Sequence, residues 1–188
     1  MSKGVSFEKP DGTKLKIGIA VSRWNSSVTF SLRDKAKQAI LDSGVKEKDI
    51  EIIHVPGTYE LPQAARYLLK HKKVQAVIAI GCLIKGQTLH FEYIASAVSY
   101  GLIRLSLDEG VPVVGGIFAC LYEKQALERS GDSRRNHGYA WGLTAVEMAA
   151  LYKAAKTRKI KKTKTTTPIG VPAAVPFWSF TDDQAEKG

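Results

Sequence analysis

The sequence predicts an α/β fold in which a central four-stranded parallel sheet carries helices on both faces. Four short apolar runs alternate along the chain with segments whose apolar residues recur at helical spacing. The third run is continuously apolar over residues 76–80, which is typical of a strand covered on both sides. Such alternation favours parallel strands joined by right-handed helical crossovers.

Each predicted element has its own signal. The strands cover residues 15–22, 49–55, 74–81 and 111–119. The first helix, "SSVTFSLRDKAKQAILDSG", has a serine cap and a terminal glycine, and the second, "ELPQAARYLLK", tolerates Pro62 in its first turn. A later helix opens at "EKQALERSG". Apolar stripes mark the third and the last helix: Phe91, Ile94, Val98, Leu102 and Leu105 in one, and Trp141, Ala145, Met148, Tyr152 and Ala155 in the other.

Length and composition indicate one soluble domain. The chain has 188 residues, of which 44% are hydrophobic and 24% charged. Cys82 and Cys120 form no C-x-x-C pair, so neither a zinc site nor a disulfide framework is indicated. The N-terminal residues lack the apolar stretch of a signal peptide, and no apolar run is long enough to span a membrane. We therefore expect a reducing, cytoplasmic location.

The formal net charge of +10 is unevenly distributed. Residues 153–188 contain eight Lys or Arg against three acidic residues. A charge run is usually a solvated face, so we expect neither nucleic acid nor a membrane as a partner. We divide the chain into an N-terminal arm (1–13), one domain (14–156) and a basic, Pro-rich extension (157–188). The extension is predicted to be exposed or disordered, or docked through Phe177, Trp178 and Phe180.

In a parallel sheet, ligands bind outside the carboxyl ends of the strands, where the βα loops gather. The loop after the first strand, "SRWNSS", places Trp24 beside Asn25, and an aromatic face next to an amide suits a flat heterocycle. A tryptophan packed under the loop is the alternative. After the second strand, Gly57 lets a ligand approach the backbone, and Glu60 either accepts hydrogen bonds from hydroxyls or only favours a helix dipole.

The loop "CLIKGQTLH" after the third strand has the residues of an anion site. Gly86, Gln87 and Thr88 stand at the start of a helix, where free N–H groups and the helix dipole attract negative charge. Thr88 is a candidate helix cap, and His90 can share a proton with a bound group near neutral pH. The alternative is a Thr-capped helix with a surface histidine.

A later segment, "ERSGDSRRNHG", supplies candidate phosphate ligands. It carries Arg129, Arg134, Arg135, Asn136 and His137, and arginine is well matched to phosphate oxygens. Exposed loop arginines are also common, so the cluster by itself is only suggestive. The sequence contains no H-E-x-x-H, G-x-S-x-G, P-loop or Rossmann pattern. Metal, nucleotide and acyl-serine chemistry therefore lose support.

Six ordered motifs, between about residue 14 and residue 155, resemble the lumazine synthase family: "SRWN", "VPGTYELP", "AVIAIGCLIKGQTLHFEYIA", "GLIRLSLDEGVPVV", "QALERSG" and "NHGYAWGLTAVEMAAL". The resemblance implies a flavodoxin-like, three-layer α/β/α sandwich. It also implies a transferase for the penultimate step of riboflavin biosynthesis, which needs no metal and no organic cofactor. In that step 5-amino-6-(D-ribitylamino)uracil condenses with 3,4-dihydroxy-2-butanone 4-phosphate to 6,7-dimethyl-8-ribityllumazine, releasing phosphate and water.

The resemblance further implies a phosphate site and a proton-transfer residue. The backbone N–H groups of Gln87 and Thr88 and the Thr88 hydroxyl would bind the phosphate, together with Arg129 from the adjoining subunit. His137 occupies a position near the phosphate that is Lys in many relatives and His in yeast-like ones. His90 would be the catalytic general acid/base.

The other substrate half is implied to bind around the first two loops. Trp24 would stack on the pyrimidine, and Glu60 would hold the ribityl hydroxyls. The remaining implied substrate-binding positions are Asn25, Gly57, Thr58, Leu83, Ile84, Lys85 and Gly115.

The chain departs from the family pattern at three of these motif positions. Lys85 replaces the usual Arg, Leu89 replaces a frequent Pro, and Gly115 replaces a Phe that lines the pocket. Either Phe118 swings in to replace that ring, or the pocket is looser and the enzyme slower. A flavin- or lumazine-binding homologue with weak or no turnover is the alternative function.

The resemblance also implies partners. Family members are homopentamers with sites at subunit interfaces, and some assemble twelve pentamers into a hollow capsid. The segment "ERSGDSRRNHG" is short, which leaves both assemblies open. The expected ligands are the two small-molecule substrates, and riboflavin as a further one.

Overall fold

The computed structural model describes residues 10–131 and 136–157. The predictions for residues 1–9, for Arg134 and Arg135, and for residues 158–188 lie outside this part. The strands are β1 (Ile17–Ser22), β2 (Ile50–Val55), β3 (Ala76–Ile84) and β4 (Val113–Cys120). The helices are α1 (Ser26–Asp42), α2 (Leu61–Tyr67), α3 (His90–Glu109), α4 (Glu123–Ser130) and α5 (His137–Thr157). Short 3₁₀ turns lie at Glu47–Asp49 and Thr58–Glu60, and a π-helical turn, Leu68–Lys72, extends α2.

The strands form one parallel sheet in the order β2-β1-β3-β4. Ile17 of β1 is opposite Ile50 on one side and Ala76 on the other. The chain therefore leaves β1 toward one edge and later returns to the other side of it. A crevice forms at such a reversal, outside the carboxyl ends of the two central strands.

The core has two layers, one on each face of the sheet. Residues of α1, α4 and α5 pack on one face with Ile17, Ile19 and Val21 of β1. Residues of α2 and α3 pack on the other face with Ala20. Every residue of β1 is buried, as expected for a strand between two helical layers. The predicted three-layer α/β/α fold is confirmed.

Helices α1 and α5 approach each other closely because two glycines face α1. A Cβ atom on Gly138 would lie 2.1 Å from the Leu32 carbonyl oxygen, and one on Gly142 would lie 2.5 Å from that of Ala36. No larger residue fits at these positions without separating the helices. This contact holds the first turns of α5 against α1.

Three predicted element ends were wrong. Strand β3 continues beyond Gly81 to Ile84, because β4 continues to pair with it. Helix α1 is capped by Asn25 rather than by a serine, and no side chain bonds its first turn. The N-cap of α3 is Leu89 rather than Thr88. By contrast, Gly44 does end α1, at φ 90°, a conformation that glycine adopts without strain.

The described part of the predicted N-terminal arm contacts the domain. The Gly12 N–H donates to the Ser43 carbonyl at 2.7 Å, and the Leu15 N–H donates back to Gly12 at 3.0 Å. A Cβ on Gly12 would lie 2.5 Å from the Val45 side chain, so this segment is closely packed against the loop after α1. Residues 10–13 therefore belong to the folded body.

Candidate functional site

A cavity of about 620 Å³ opens at the carboxyl ends of the strands, within the usual size range for small-molecule sites. Four chain segments form it: the loop after β1, the loop after β2, the end of β3 and the first turns of α3. Its lining residues are Trp24, Asn25, Pro56, Gly57, Thr58, Tyr59, Glu60, Cys82, Leu83, Ile84, His90 and Ile94.

The turn after β1 is held in an unusual conformation. Asn25 lies in the left-handed region at φ 56°, and its Nδ2 donates to the Cys82 carbonyl at 2.9 Å. Its own carbonyl accepts from the Val28 N–H at 2.9 Å, which starts α1. The Trp24 N–H donates to the Pro56 carbonyl at 3.1 Å. These bonds join the loops after β1 and β2 to the end of β3.

The Trp24 indole is an open wall of the cavity. Trp24 is 73% exposed, so the alternative of a tryptophan packed under the loop is wrong. An exposed indole beside an amide can stack on a planar ring while neighbouring polar groups bond its edge. The structure therefore keeps this aromatic face available to a ligand.

The loop after β2 fixes a carboxylate at the cavity. The Gly57 N–H donates to Glu60 Oε2 at 2.8 Å, and a Cβ at Gly57 would crowd that same oxygen at 3.1 Å. Thr58 is 4% exposed, and among the described residues its hydroxyl has no hydrogen-bond partner. The Glu60 carboxylate thus has one oxygen held by backbone, and the other can accept from a bound hydroxyl.

The end of β3 contributes an apolar wall and a buried thiol. Burial raises the pKa of the Cys82 thiol from its usual 9.0 to about 12, and the nearby Cys120 adds to the shift. Cys82 is therefore a neutral thiol at physiological pH. Because the thiolate is the reactive form, Cys82 offers packing and a backbone carbonyl rather than a nucleophile.

His90 lines the cavity from the first residue of α3. The His90 side chain is exposed. The backbone nitrogen of His90 lies 3.5 Å from the Thr88 hydroxyl oxygen, at the limit of a hydrogen bond. Gln87 and Thr88 are exposed in the loop before it. Lys85 turns away and forms an ion pair with Glu92 of α3. The loop therefore brings an imidazole to the cavity edge and leaves its polar groups open to solvent.

Six predicted site residues lie outside the cavity of a single chain. They are Lys85, Gln87, Thr88, Gly115, Arg129 and His137. Arg129 is exposed on α4, where its Nη1 donates to the Gln125 carbonyl at 3.0 Å. His137 begins α5, with its ring centroid 5.5 Å from that of Phe118. These positions remain predictions.

Phe118 does not replace the missing ring at Gly115. Its side chain is buried in the core on the α5 side of β4, with its ring centroid 5.2 Å from that of Trp141. Successive residues of a strand point to opposite faces, so Gly115 faces away from it. No described atom comes within 4 Å of an ideal Cβ at Gly115. The other expectation for this position, a looser pocket, remains a prediction.

Four residues of the cavity were not predicted: Pro56, Tyr59, Cys82 and Ile94. Pro56 and Tyr59 lie within the motif "VPGTYELP", in which only Gly57, Thr58 and Glu60 were predicted to bind substrate. Ile94 lies one helical turn after His90, a spacing that places both on one face of α3. Cys82 was missed because it was considered only as a possible zinc or disulfide residue.

The described residues contain no group of three His, Cys, Asp or Glu side chains that could hold a metal ion. In the same part of the chain, no helix has the length and apolar character needed to cross a membrane. The ligand groups at the cavity are an indole, an amide, backbone amides, a carboxylate and an imidazole. Together with a reversal point in a parallel sheet, they define an α/β protein with a small-molecule cavity at its strand ends.

Comparison with known proteins narrows this class. The model of the family described as 6,7-dimethyl-8-ribityllumazine synthase matches residues 14–153. A protein of that name from Schizosaccharomyces pombe is 44% identical over 159 residues, which cover 81% of this chain and all of that protein. One from Porphyromonas gingivalis is 43% identical over 142 residues, covering 76% of this chain and 88% of its own. One from Pyricularia oryzae is 38% identical over 185 residues, covering 78% and 92%.

The chain belongs to the 6,7-dimethyl-8-ribityllumazine synthase family. This family consists of transferases of riboflavin biosynthesis, and the chain is one of these enzymes. The family match begins before β1 and ends within α5, and it therefore covers the whole cavity.

Proposed function

We propose that this chain condenses 5-amino-6-(D-ribitylamino)uracil with 3,4-dihydroxy-2-butanone 4-phosphate to 6,7-dimethyl-8-ribityllumazine. The observation that best supports the proposal is that eight of the substrate and catalytic positions expected from the sequence line one cavity. Those residues are Trp24, Asn25, Gly57, Thr58, Glu60, Leu83, Ile84 and His90.

The pyrimidine and its ribityl chain bind the part of the cavity formed by the loops after β1 and β2. Trp24 stacks on the ring, and the backbone around Thr58 and Leu83 bonds its edge. The free oxygen of Glu60 accepts from ribityl hydroxyls. Asn25 contacts the pyrimidine, and its Nδ2, which donates to the Cys82 carbonyl at 2.9 Å, also holds the turn that carries Trp24. The hydrogen bonds of the loops after β1 and β2 keep these groups in place before substrate binds, which lowers the entropic cost of binding.

The chemistry needs positioning and proton transfer rather than a protein nucleophile. The substrate amine attacks the butanone carbonyl and water leaves, forming an imine; phosphate is then eliminated, and the second ring closes with loss of water. Holding two reactants in register supplies an effective molarity of roughly 10⁵ M or more. His90 carries the protons during phosphate loss, an effect on the order of 10² to 10⁴ in rate.

The phosphate is bound by the N–H groups of Gln87 and Thr88 and by Arg129 and His137 of an adjoining subunit. Arg129 and His137 are exposed and lie outside the cavity of their own chain, which leaves them available to a neighbouring one. We therefore propose a homopentamer, with a capsid of pentamers as the larger alternative. An exposed apolar stripe on α3 supports such assembly, and it consists of Tyr93, Tyr100, Ile103 and Leu107.

A direct assay tests the proposal. The native protein is mixed with both substrates, and formation of the lumazine is followed by its fluorescence. Product above the uncatalysed rate is expected. Tight binding of riboflavin without product would instead leave only the binding homologue, which the open position at Gly115 would then explain.

The Arg129→Ala variant tests the phosphate assignment. Loss of the guanidinium should raise KM for the phosphate substrate, because a charge-assisted bond is lost there. Binding of riboflavin or of the aminouracil should stay nearly unchanged. Equal weakening of both substrates would refute the assignment of Arg129.

The location in the cell is the last part of the proposal. Cys82 and Cys120 are both free thiols and both buried. Unpaired cysteines are compatible with a reducing compartment, and we infer a cytoplasmic enzyme. Fractionation of the source cells would test this inference.

A further inference from the structure

A buried asparagine joins three helices beside the proposed phosphate ligands. Asn136 is 6% exposed, and its Nδ2 donates to the Ser130 carbonyl at 2.7 Å and to Ser31 Oγ at 3.3 Å. Its Oδ1 accepts from the Gly138 N–H at 2.9 Å. The Ser31 hydroxyl in turn donates to the same Ser130 carbonyl at 2.5 Å. One side chain therefore links the end of α4, the middle of α1 and the start of α5.

The partners of Asn136 are the sequence neighbours of two proposed phosphate ligands. Ser130 follows Arg129 directly, and Asn136 precedes His137 directly. The Arg129 Nη1 also donates to Gln125 one turn earlier, so α4 carries the guanidinium as a unit with Ser130. Fixing the Ser130 carbonyl thus fixes the end of the helix that carries Arg129.

The residues around Asn136 are closely packed, which restricts its side chain to this conformation. A Cβ on Gly138 would lie 2.9 Å from Asn136 Oδ1 and 2.1 Å from the Leu32 carbonyl oxygen, so this stretch of α5 is pressed against α1. His137 packs its ring edge-on against Phe118. The three consecutive residues "NHG" therefore combine a buried clamp, an exposed imidazole and a close helix contact.

We propose that Asn136 is a positioning residue for the phosphate half of the reaction. It acts through Arg129 and His137, whose backbones it holds at the spacing that the phosphate of an adjoining subunit's substrate requires. The inference rests on the proposed function. It assigns to a buried amide a role in the affinity for one substrate only, whereas a purely structural role would affect both substrates alike.

Three variants separate positioning from stability. Asn136→Ala removes the whole clamp. Ser31→Ala removes only the α1 arm, with Ser31→Thr as the conservative variant that keeps the hydroxyl. The matched control is Tyr139→Phe, which deletes the 3.0 Å bond from Tyr139 to Asp42 between the same helices, α5 and α1, without touching the clamp.

The experiment measures kcat and both KM values for the assembled protein, inhibition by inorganic phosphate, and thermal stability. Asn136→Ala should raise KM for the butanone phosphate about tenfold and weaken phosphate inhibition in parallel, because small misplacements of binding groups are costly. KM for the aminouracil should change by less than about two-fold. Ser31→Ala should change KM for the butanone phosphate and phosphate inhibition in the same direction but by less. Ser31→Thr should keep both near their native values, and Tyr139→Phe should lower only stability.

The outcomes are distinct. If Asn136→Ala does not fold, the Ser31 pair still carries the test, since its change is smaller. An equal rise of both KM values, or a loss of stability with no selective effect on phosphate, would overturn the inference. A native protein that makes no lumazine would overturn the proposed function itself, before any variant is compared.

Discussion

Single residues around the cavity owe their chemical state to burial. Cys82 is a neutral thiol because the surrounding apolar residues disfavour its charged form, and its carbonyl is used to hold Asn25. Thr58 keeps a buried hydroxyl beside the same wall. His90, in contrast, is exposed at the cavity edge, within reach of both solvent and a bound ligand.

Replacing His90 by alanine should slow turnover without abolishing it. The proton-transfer contribution, on the order of 10² to 10⁴, is lost, while the gain from holding both substrates together remains. Steady-state rates of lumazine formation measure the effect. His71→Ala is the control, because His71 lies on the π-helical turn after α2 and outside the cavity. A variant as fast as the native protein would remove His90 from the mechanism.

The Cys82 thiol predicts a loss of stability at alkaline pH. Its pKa is about 12 in the folded chain against 9.0 ordinarily, so the folded state holds the proton more tightly than the unfolded state. Stability from this group is complete below pH 9 and falls as pH rises toward 12, by up to about 1.4 kcal/mol per pH unit.

Thermal midpoints between about pH 8 and about pH 10 check this effect against a Cys82→Ala variant, which lacks the titrating group. The native protein should lose stability more steeply than the variant across this range. Parallel curves would show that the thiol does not contribute.

At the scale of elements, the site depends on how closely α5 packs on α1. Gly138 and Gly142 lie one turn apart on the face of α5 that meets α1. Their missing side chains bring the two helices together and place the start of α5 next to the end of α4. The Asn136 clamp bridges the two helices at this short separation.

Gly142→Ala tests the close contact. Alanine favours a helix by about 1 kcal/mol over glycine, but its Cβ would lie 2.5 Å from the Ala36 carbonyl oxygen and 2.7 Å from the Ala39 Cβ. Overpacking costs about 1–3 kcal/mol, so we expect a net loss of stability on the order of 1 kcal/mol.

Gly101→Ala in α3 is the matched control for chemical denaturation. Its Cβ would lie 3.2 Å from the Pro62 ring, a much smaller overlap than at Gly142, so Gly101→Ala should be clearly less destabilising than Gly142→Ala. If both variants gain stability, α1 and α5 can separate and the close approach is not required.

For the whole molecule, the exposed apolar residues are unevenly placed. Helix α3 buries Val98 and Leu102 but leaves Tyr100 at 67% and Leu107 at 70% exposed. An apolar stripe of this size on a surface helix usually marks an interface. If Arg129 binds the phosphate in a neighbouring subunit, as proposed, assembly and activity should be lost together.

Leu107→Glu should therefore reduce both particle mass and turnover. A buried charge at a subunit contact is costly, so the assembly should dissociate. Sedimentation gives the mass, and the lumazine assay gives the rate. Lys46→Gln, which changes the net charge equally at an exposed position away from α3, should alter neither. Full activity in dissociated Leu107→Glu chains would rule out a site shared between subunits.

The sequence by itself determined the order of the elements, the sheet class and the motifs that identify the family. These depend on local signals: apolar spacing, Pro62 at the start of a helix, Gly44 at the end of another. The positions that line the cavity also lay within those motifs, because βα loops at one edge of a parallel sheet necessarily meet.

Only the tertiary structure decided which groups each side chain bonds. The Asn25 side-chain amide donates to the Cys82 carbonyl, 57 residues away, rather than bonding to its own helix. Strand β3 extends to Ile84 because β4 pairs with it that far. Phe118 packs in the core, so Gly115 stays open. Arg129 and His137 lie beyond their own cavity. Such outcomes depend on contacts between distant segments, whose free energies local sequence patterns do not contain.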